Sequence, residues 1–222
     1  MEQLRIAGET VLPQGSGRTD AGVHALAQVA SCALASSIPA ANLGVALNDI
    51  LPPSIRVMQV EEAPPEFHAR KSARAKTYRY RIYRGDICPP LLARYVYHHP
   101  YPLNENAICA ASEQVIGEHD FTSFAAVDPE QRESGKGTAL AVPLAAQDKG
   151  ALAPEVQRGE ERSNVRTIFT SEWQRAGDEL IYTVRGSGFL HHMVRNLVGT
   201  FLLVGKGSLQ PVDLARILPS RS

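Results

Sequence analysis

A carboxylate and a guanidinium lie close together inside a short stretch that is rich in glycine. Arg18 and Asp20 are two residues apart, and they lie between Gly17 and Gly22. Because glycine permits backbone conformations with positive φ, this stretch can form a tight turn that presents the Asp20 carboxylate in one geometry. A carboxylate held in this way can act as a nucleophile or as a general base. The alternative is that Asp20 only hydrogen-bonds within its own turn.

Positive charge is concentrated in a second stretch, residues 66–84, which also carries aromatic side chains. This stretch holds seven basic residues against one acid, whereas the rest of the chain has 16 basic and 22 acidic residues. The seven are Arg70, Lys71, Arg74, Lys76, Arg79, Arg81 and Arg84, and they alternate with Phe67, Tyr78, Tyr80 and Tyr83. Cations for phosphates beside rings for bases are typical of a nucleic-acid surface. The alternative is a solvated strand whose tyrosines fill the core.

The period of the side chains decides between these two interpretations for part of the stretch. Residues 76–83 alternate in the way that predicts a strand, with two tyrosines and Ile82 on one face and two arginines on the other. The first of these faces is therefore expected to be core. Tyr78 lies near the start of the strand and is the tyrosine that can reach a cleft.

A long amphipathic helix is predicted near the end of the chain. Apolar residues from Leu190 to Leu202 recur at helical spacing, which indicates a core-facing stripe. Arg195 is expected at the edge of this stripe as a half-buried cation that needs an anion, the alternative being an ordinary surface ion pair. His191 and His192 are adjacent and are expected to point apart, which argues against a shared metal site.

Capping residues and periodicity predict the remaining elements. These are strands at 23–32, 55–60, 164–168 and 180–185, and helices at 40–48, 104–116 (capped by Asn104 and stopped by Gly117) and 211–218. Residues 125–163 lack aromatic residues and regular periodicity. They are expected to form a flexible insertion.

The bulk composition excludes several protein classes. The three cysteines are scattered without the paired spacing of zinc or redox sites, which favours a reducing compartment. No apolar run approaches the length of a membrane span, and the first residues lack the pattern of a signal peptide. We therefore expect a soluble, cytoplasmic protein.

Residues 17–25, Gly-Arg-Thr-Asp-Ala-Gly-Val-His-Ala, resemble the catalytic motif of the tRNA pseudouridine synthase A family. Further blocks resemble the same family in the family's order. They are residues 46–48 with 51–52, 67–70, 76–80, 120–124 and 189–196. The resemblance covers roughly residues 1–124 and 164–218.

The resemblance implies an α+β fold. Two ferredoxin-like halves, residues 1–100 with the catalytic motif and residues 101–222 with the 125–163 insertion, would form a central mixed or antiparallel sheet with flanking helices and a basic cleft. It also implies a homodimer in which one tRNA touches both subunits. Family members normally begin with a Tyr-Asp-Gly strand and continue past the last helix, so this chain is expected to be shortened at both ends.

The resemblance also implies an activity and a site. An isomerase of this family converts uridine to pseudouridine at tRNA positions 38, 39 and 40 without a metal or a redox cofactor. By matching position, Asp20 is the catalytic carboxylate, as nucleophile or base, Arg195 pairs with it and orients it, and Tyr78 stacks on the uracil. The residues expected to contact RNA are Arg18, Phe67, His68, Ala69, Arg70 and Lys71.

Two other functions are compatible with some of these residues. A shortened homologue that binds tRNA with little or no turnover would retain the basic stretch. A carboxylate hydrolase acting on glycosidic bonds would normally need a second catalytic acid. The chain shows no second acid in a comparable motif.

Overall fold

The computed structural model describes residues 4–6, 9–126 and 163–218. The chain divides into two compact units, residues 1–74 (unit 1) and 75–222 (unit 2), and each is described by itself. The predicted insertion at 125–163 lies almost entirely outside the described residues. Among the described helices, none is both long and apolar enough to cross a membrane.

The described part of unit 1 contains two short antiparallel strand pairs and one helix. Its elements are β1 (Leu4–Ile6), β2 (Glu9–Val11), β3 (Gln14–Gly15), β4 (Ala30–Ser31) and α1 (Ala40–Ile50). β1 pairs antiparallel with β2, and β3 pairs antiparallel with β4. The core of this unit is small, with Val11 and Leu43 buried under a few partly buried apolar side chains.

The helix α1 confirms the prediction for residues 40–48 and extends it by two residues. Pro39 precedes it with φ −59° and ψ 142°, and Leu51 follows it in an extended conformation. The helix ends there because Pro52 disfavours the helical region for the residue before it.

The predictions of a strand at 23–32 and of another at 55–60, both in unit 1, are wrong. Within 23–32 only Ala30–Ser31 is strand, and the side chain of Leu26 is 92% exposed. This segment consists largely of alanine and polar residues with weak strand preference, and its described partner strand is only two residues long. Residues 55–60 form no strand, and the Asn48 side chain bonds both backbone groups of Val57, which a neighbouring strand would otherwise pair. Its amide accepts from Val57 N and donates to Val57 O, both at 2.8 Å.

Unit 2 is built on a five-stranded mixed sheet. Its strands are β5 (Lys76–Tyr83), β6 (Tyr97–His98), β7 (Gly117–Asp120), β8 (Val165–Ala176) and β9 (Glu179–Gly186), in the order β6-β5-β9-β8-β7. The β5–β6 pair is parallel and the other pairs are antiparallel. The strand predictions for 76–83 and 180–185 are confirmed, and the strand predicted at 164–168 is the first part of β8, which continues to Ala176.

Among the described residues of unit 2, three α-helices accompany this sheet, and side chains from the sheet and these helices form one core. They are α2 (Glu105–Glu113), α3 (Met193–Gly205) and α4 (Asp213–Ile217). Tyr182 of β9 and Phe201 of α3 are fully buried, with ring centroids 5.3 Å apart. The described residues are therefore α+β, as the sequence predicts.

The start of α2 agrees with the capping prediction, and its end does not. Asn104 caps α2 through a hydrogen bond from Ala107 N to its side chain (3.1 Å), as predicted. The helix ends at Glu113, short of the predicted Ile116. Gly117, with φ 109°, begins β7 instead.

Candidate active site

The glycine loop, residues 16–29, connects β3 to β4 and carries Arg18 and Asp20. At its tip, Val23 N donates to Asp20 O (3.0 Å) and Gly22 has φ 76°. A four-residue turn with positive φ at its third position favours glycine there, because a Cβ would be strained. The predicted glycine turn is confirmed. Asp20 is its first residue and is half-buried, whereas Arg18 is exposed.

The predicted RNA-contacting segment, residues 67–71, forms a compact turn in the same unit. The His68 Nδ1 atom lies 3.1 Å from Arg70 N and accepts its hydrogen bond, and Ser72 N donates to His68 O (2.8 Å). Arg70 and Lys71 are both exposed on this turn.

One residue of the turn is buried. Ala69 is only 3% exposed, and its N–H donates to the Ser31 hydroxyl (3.1 Å). Because Ser31 belongs to β4, this bond ties the 67–71 turn to the strand that closes the glycine loop. The predicted RNA-binding residues of unit 1 therefore lie on two segments that are joined by a hydrogen bond.

The basic stretch is divided by the structure into exposed and structural cations. The Arg81 guanidinium donates through Nε and Nη2 to the Glu179 carboxylate, at 2.7 and 2.6 Å. Arg84 donates to the carbonyls of His99 and Tyr101, and burial lowers the pKa of its guanidinium. The guanidinium groups of these two arginines are therefore engaged by hydrogen bonds within unit 2. The cations at 70, 71, 74 and 79 are exposed.

Tyr78 lies on β5 with its ring against a second aromatic side chain. The Phe189 ring meets it edge-on, with centroids 4.9 Å apart and an interplanar angle of 77°. Tyr78 is half-buried and packs against the core of unit 2. A ring held by such an edge contact is fixed in orientation and keeps part of its surface open.

Arg195 lies on α3 near the hydroxyl group of Tyr80. Burial raises the pKa of Tyr80, and the positive charge of Arg195 opposes that rise. Tyr78 and Tyr80 are two residues apart on one strand and share a face. The charge of Arg195 therefore acts on the side chain next to Tyr78 on this face of β5. Arg195 is exposed, so the prediction of a half-buried cation is wrong, because its position on α3 is just outside the buried stripe.

The two adjacent histidines also differ from the prediction. His191 and His192 do not point apart: their rings stack with centroids 3.9 Å apart. His192 has φ 57° and precedes the first residue of α3, so the pair is not helical and the helical spacing rule does not apply to it. The helix begins at Met193, three residues later than the apolar stripe begins.

Comparison with known proteins decides the family. A family model described as "tRNA pseudouridine synthase" matches residues 146–222. The tRNA pseudouridine synthase A of Solibacter usitatus is 45% identical over 97% of this chain and 77% of its own length. That of Halalkalibacterium halodurans is 37% identical over 97% and 70%, and that of Bacillus licheniformis is 36% identical over 100% and 78%.

The chain belongs to the tRNA pseudouridine synthase A family. The resemblance read from residues 17–25 is thereby confirmed. The other blocks that resemble the tRNA pseudouridine synthase A family lie on described elements of both units. Residues 46–48 lie in α1, 67–70 in the exposed turn, 76–80 in β5, 120–124 at the end of β7, and 189–196 at the start of α3.

Two residues that contact candidate site segments within their own units have no role in the sequence prediction. Phe189 lies in one of the family blocks, and that position is the signal that could have drawn attention to it. Gln28, near the end of the glycine loop, donates to Gly17 O near the start of the loop, 11 residues away. No local pattern in the sequence indicates such a contact.

Proposed function

We propose that this chain is an isomerase that converts uridine to pseudouridine at positions 38, 39 and 40 of the anticodon stem-loop of tRNA. One observation carries the proposal. Asp20 begins a glycine turn inside a nine-residue family motif, in a chain 45% identical to a tRNA pseudouridine synthase A. The exposed basic turn at 67–71 in the same unit supports an RNA substrate.

The reaction rearranges one nucleotide without a net gain or loss of atoms. The glycosidic bond from N1 to the ribose C1′ breaks, the uracil rotates, and C5 bonds to C1′. C5 then loses its proton, and N1 gains one. Asp20 acts either as a nucleophile on the ribose or as the base that removes a ribose proton, and both routes need an ionised carboxylate.

The other site residues supply charge and a stacking surface. We assign Arg195 to pair with Asp20, because an opposite charge nearby favours the carboxylate form. A uridine in a stem-loop must be flipped out to be reached, and the ring of Tyr78 would stack on it. Arg18, exposed in the glycine loop, would contact a phosphate or fill the space that the uridine leaves.

We propose that the 67–71 turn contacts the phosphate backbone of the RNA. Phe67, Arg70 and Lys71 expose their side chains, and His68 is half-exposed. Ala69 is buried, so we assign it the role of seating the turn on Ser31 rather than a direct contact with RNA.

The finer architecture is also proposed from the family. Two ferredoxin-like halves, residues 1–100 and 101–222, would form one sheet around a basic cleft. Two subunits would bind one tRNA as a homodimer. A tRNA substrate and three free cysteine thiols support a cytoplasmic location.

The proposal is tested with the purified chain and a tRNA transcript that carries tritium at C5 of its uridines. Pseudouridine formation releases this tritium, and a transcript with cytidine at positions 38–40 should release none. Asp20→Asn keeps the shape of the side chain and removes its charge. It should abolish release while tRNA affinity stays within a few-fold of that of the unaltered chain.

Asp49→Asn is the matched control, because Asp49 is an exposed aspartate of α1 in the same unit. It should leave tritium release unchanged. Tight tRNA binding by the unaltered chain without tritium release would favour the binding-only homologue. A normal rate in Asp20→Asn would rule out Asp20 as the catalytic carboxylate.

A further inference from the structure

The glycine loop joins the rest of unit 1 through a very short ladder. β3 and β4 pair over only two residues each, Gln14 with Ser31 and Gly15 with Ala30. One further backbone bond, from Ser16 N to Val29 O (2.8 Å), continues the pairing into the loop. A two-stranded pair of this length is marginal in water, so the position of the loop must depend on additional bonds.

The Gln28 side chain supplies two such bonds. Its Nε2 donates to Gly17 O at 2.6 Å, and its Oε1 accepts from the Ser16 hydroxyl at 2.6 Å. A primary amide offers a donor and an acceptor in the way that a peptide group does. Gln28 therefore acts as one more rung of the ladder, beyond the point where the backbone pairing ends.

The hydrogen bonds of Gln28 restrain the backbone just before Asp20. The bond from its Nε2 fixes the carbonyl of Gly17, three residues before Asp20, and the turn closed by Val23 N fixes the carbonyl of Asp20 itself. Only Arg18 and Thr19 lie between these two restraints. The path of the backbone into Asp20 is thus set from both sides by specific hydrogen bonds.

We infer that Gln28 is a positioning residue that holds the Asp20 carboxylate in its reactive geometry; this inference rests on the proposed function. Gln28 is exposed, so burial of apolar surface does not account for its contacts. It acts through the loop and touches neither the uridine nor the reacting atoms. A displacement of a catalytic group by about 1 Å can cost on the order of a hundredfold in rate.

Gln28→Met tests the inference, because methionine has a similar length and neither bonds Gly17 nor accepts from Ser16. We expect the single-turnover rate at saturating tRNA to fall about tenfold or more. The affinity for tRNA and the melting temperature should stay close to those of the unaltered chain. Amide hydrogen exchange of residues 16–29 should accelerate.

Gln59→Met is the matched control. Gln59 is also an exposed glutamine of unit 1, bonded to the Glu61 carboxylate (3.1 Å) away from the glycine loop. It should change neither the rate nor the exchange of residues 16–29.

Ser16→Ala removes one of the two bonds and leaves the bond to Gly17. Its rate should lie between those of the unaltered chain and Gln28→Met. The double variant should be no slower than Gln28→Met alone, because both changes remove the same contact.

An unchanged single-turnover rate in Gln28→Met would overturn the inference, as would a loss expressed only as weaker tRNA binding. Exchange of residues 16–29 equal to that of Gln59→Met would also overturn it. If the unaltered chain forms no pseudouridine, the proposed function fails, while the exchange measurement still reports whether Gln28 restrains the loop.

Discussion

At the scale of single residues, Arg195 is the side chain whose role the structure frames most sharply. It is exposed on α3, and its positive charge opposes the rise that burial causes in the pKa of the half-buried Tyr80. An exposed arginine of a surface ion pair contributes little to stability, whereas one that orients a catalytic carboxylate governs the rate. These two roles predict different results for the same substitutions.

Arg195→Met should lower turnover by about a hundredfold or more while costing at most about 1 kcal/mol of stability, because the side chain is exposed. Arg195→Lys should be partly active at best, since lysine keeps the charge but lacks the planar fork that orients a carboxylate. Single-turnover rates and urea unfolding measure the two effects. The matched control is Arg185→Met, an exposed arginine of β9. Full activity in both Arg195 variants, with unchanged tRNA binding, would remove Arg195 from the site.

At the scale of elements, side-chain period was a sufficient guide where an element buries one full face. The alternation of residues 76–83 and the stripe of α3 are such cases: both elements form, although α3 begins only at Met193 and leaves Arg195 exposed. Residues 23–32 and 55–60 depend instead on which groups their backbone bonds. In residues 55–60 the backbone of Val57 bonds the side chain of Asn48, which lies in α1. A hydrogen bond to a side chain several residues away in the sequence leaves no local pattern. The contact between Gln28 and Gly17 could not be predicted for the same reason.

The sequence predicted which residue types the candidate site contains better than it predicted their backbone and ring geometry. The glycine turn under Asp20 follows from Gly22, whose positive φ the motif indicates. The stacked histidines depend on the left-handed backbone of His192, a conformation that few residues other than glycine adopt. Neither composition nor period announces such a residue.

Strands β5 and β9 carry an ion pair whose effect depends on pH. The bidentate bonds from Arg81 hold the pKa of the Glu179 carboxyl below its ordinary value. A depressed pKa in the folded chain stabilises it above the ordinary carboxyl pKa of about 4.3, and this stabilisation is lost as the pH falls through the lowered value.

Glu179→Gln should therefore destabilise the chain by about 1 kcal/mol near neutral pH, and the difference should vanish in acid. Urea unfolding followed from about pH 7 down to about pH 2 measures it. The control Glu172→Gln changes an exposed carboxylate of the neighbouring strand β8. A difference between Glu179→Gln and the unaltered chain that persists unchanged in acid would contradict the assignment.

At the scale of the whole molecule, the two units hold their candidate functional residues by different means. Unit 2 fixes Tyr78 by packing it against a large core. Unit 1 has a small buried core, and its glycine loop and 67–71 turn are held by hydrogen bonds that Gln28 donates and that Ser31 and His68 accept. Substitution of one of these three side chains should therefore displace the segment that it holds.

The distribution of charge leads to the last prediction. The chain has equal numbers of basic and acidic residues, so any attraction to RNA must come from local clusters. Arg81 and Arg84 are engaged within unit 2, whereas Arg70 and Lys71 are exposed on the 67–71 turn. The 67–71 turn thus carries two adjacent cations among the four that are exposed at 70, 71, 74 and 79, and we expect it to release counterions from a bound tRNA.

Replacing both Arg70 and Lys71 with alanine should weaken tRNA binding and flatten its dependence on salt. Each lost phosphate contact lowers the slope of log K against log salt by about 0.7 to 0.9, so the double variant should lose up to about 1.8. Arg94→Ala with Arg216→Ala is the matched control, because it removes two exposed cations of unit 2 and the same net charge. Filter binding over a range of salt concentrations measures both slopes. Equal flattening in the two double variants would show that net charge, and not the 67–71 turn, sets the affinity for tRNA.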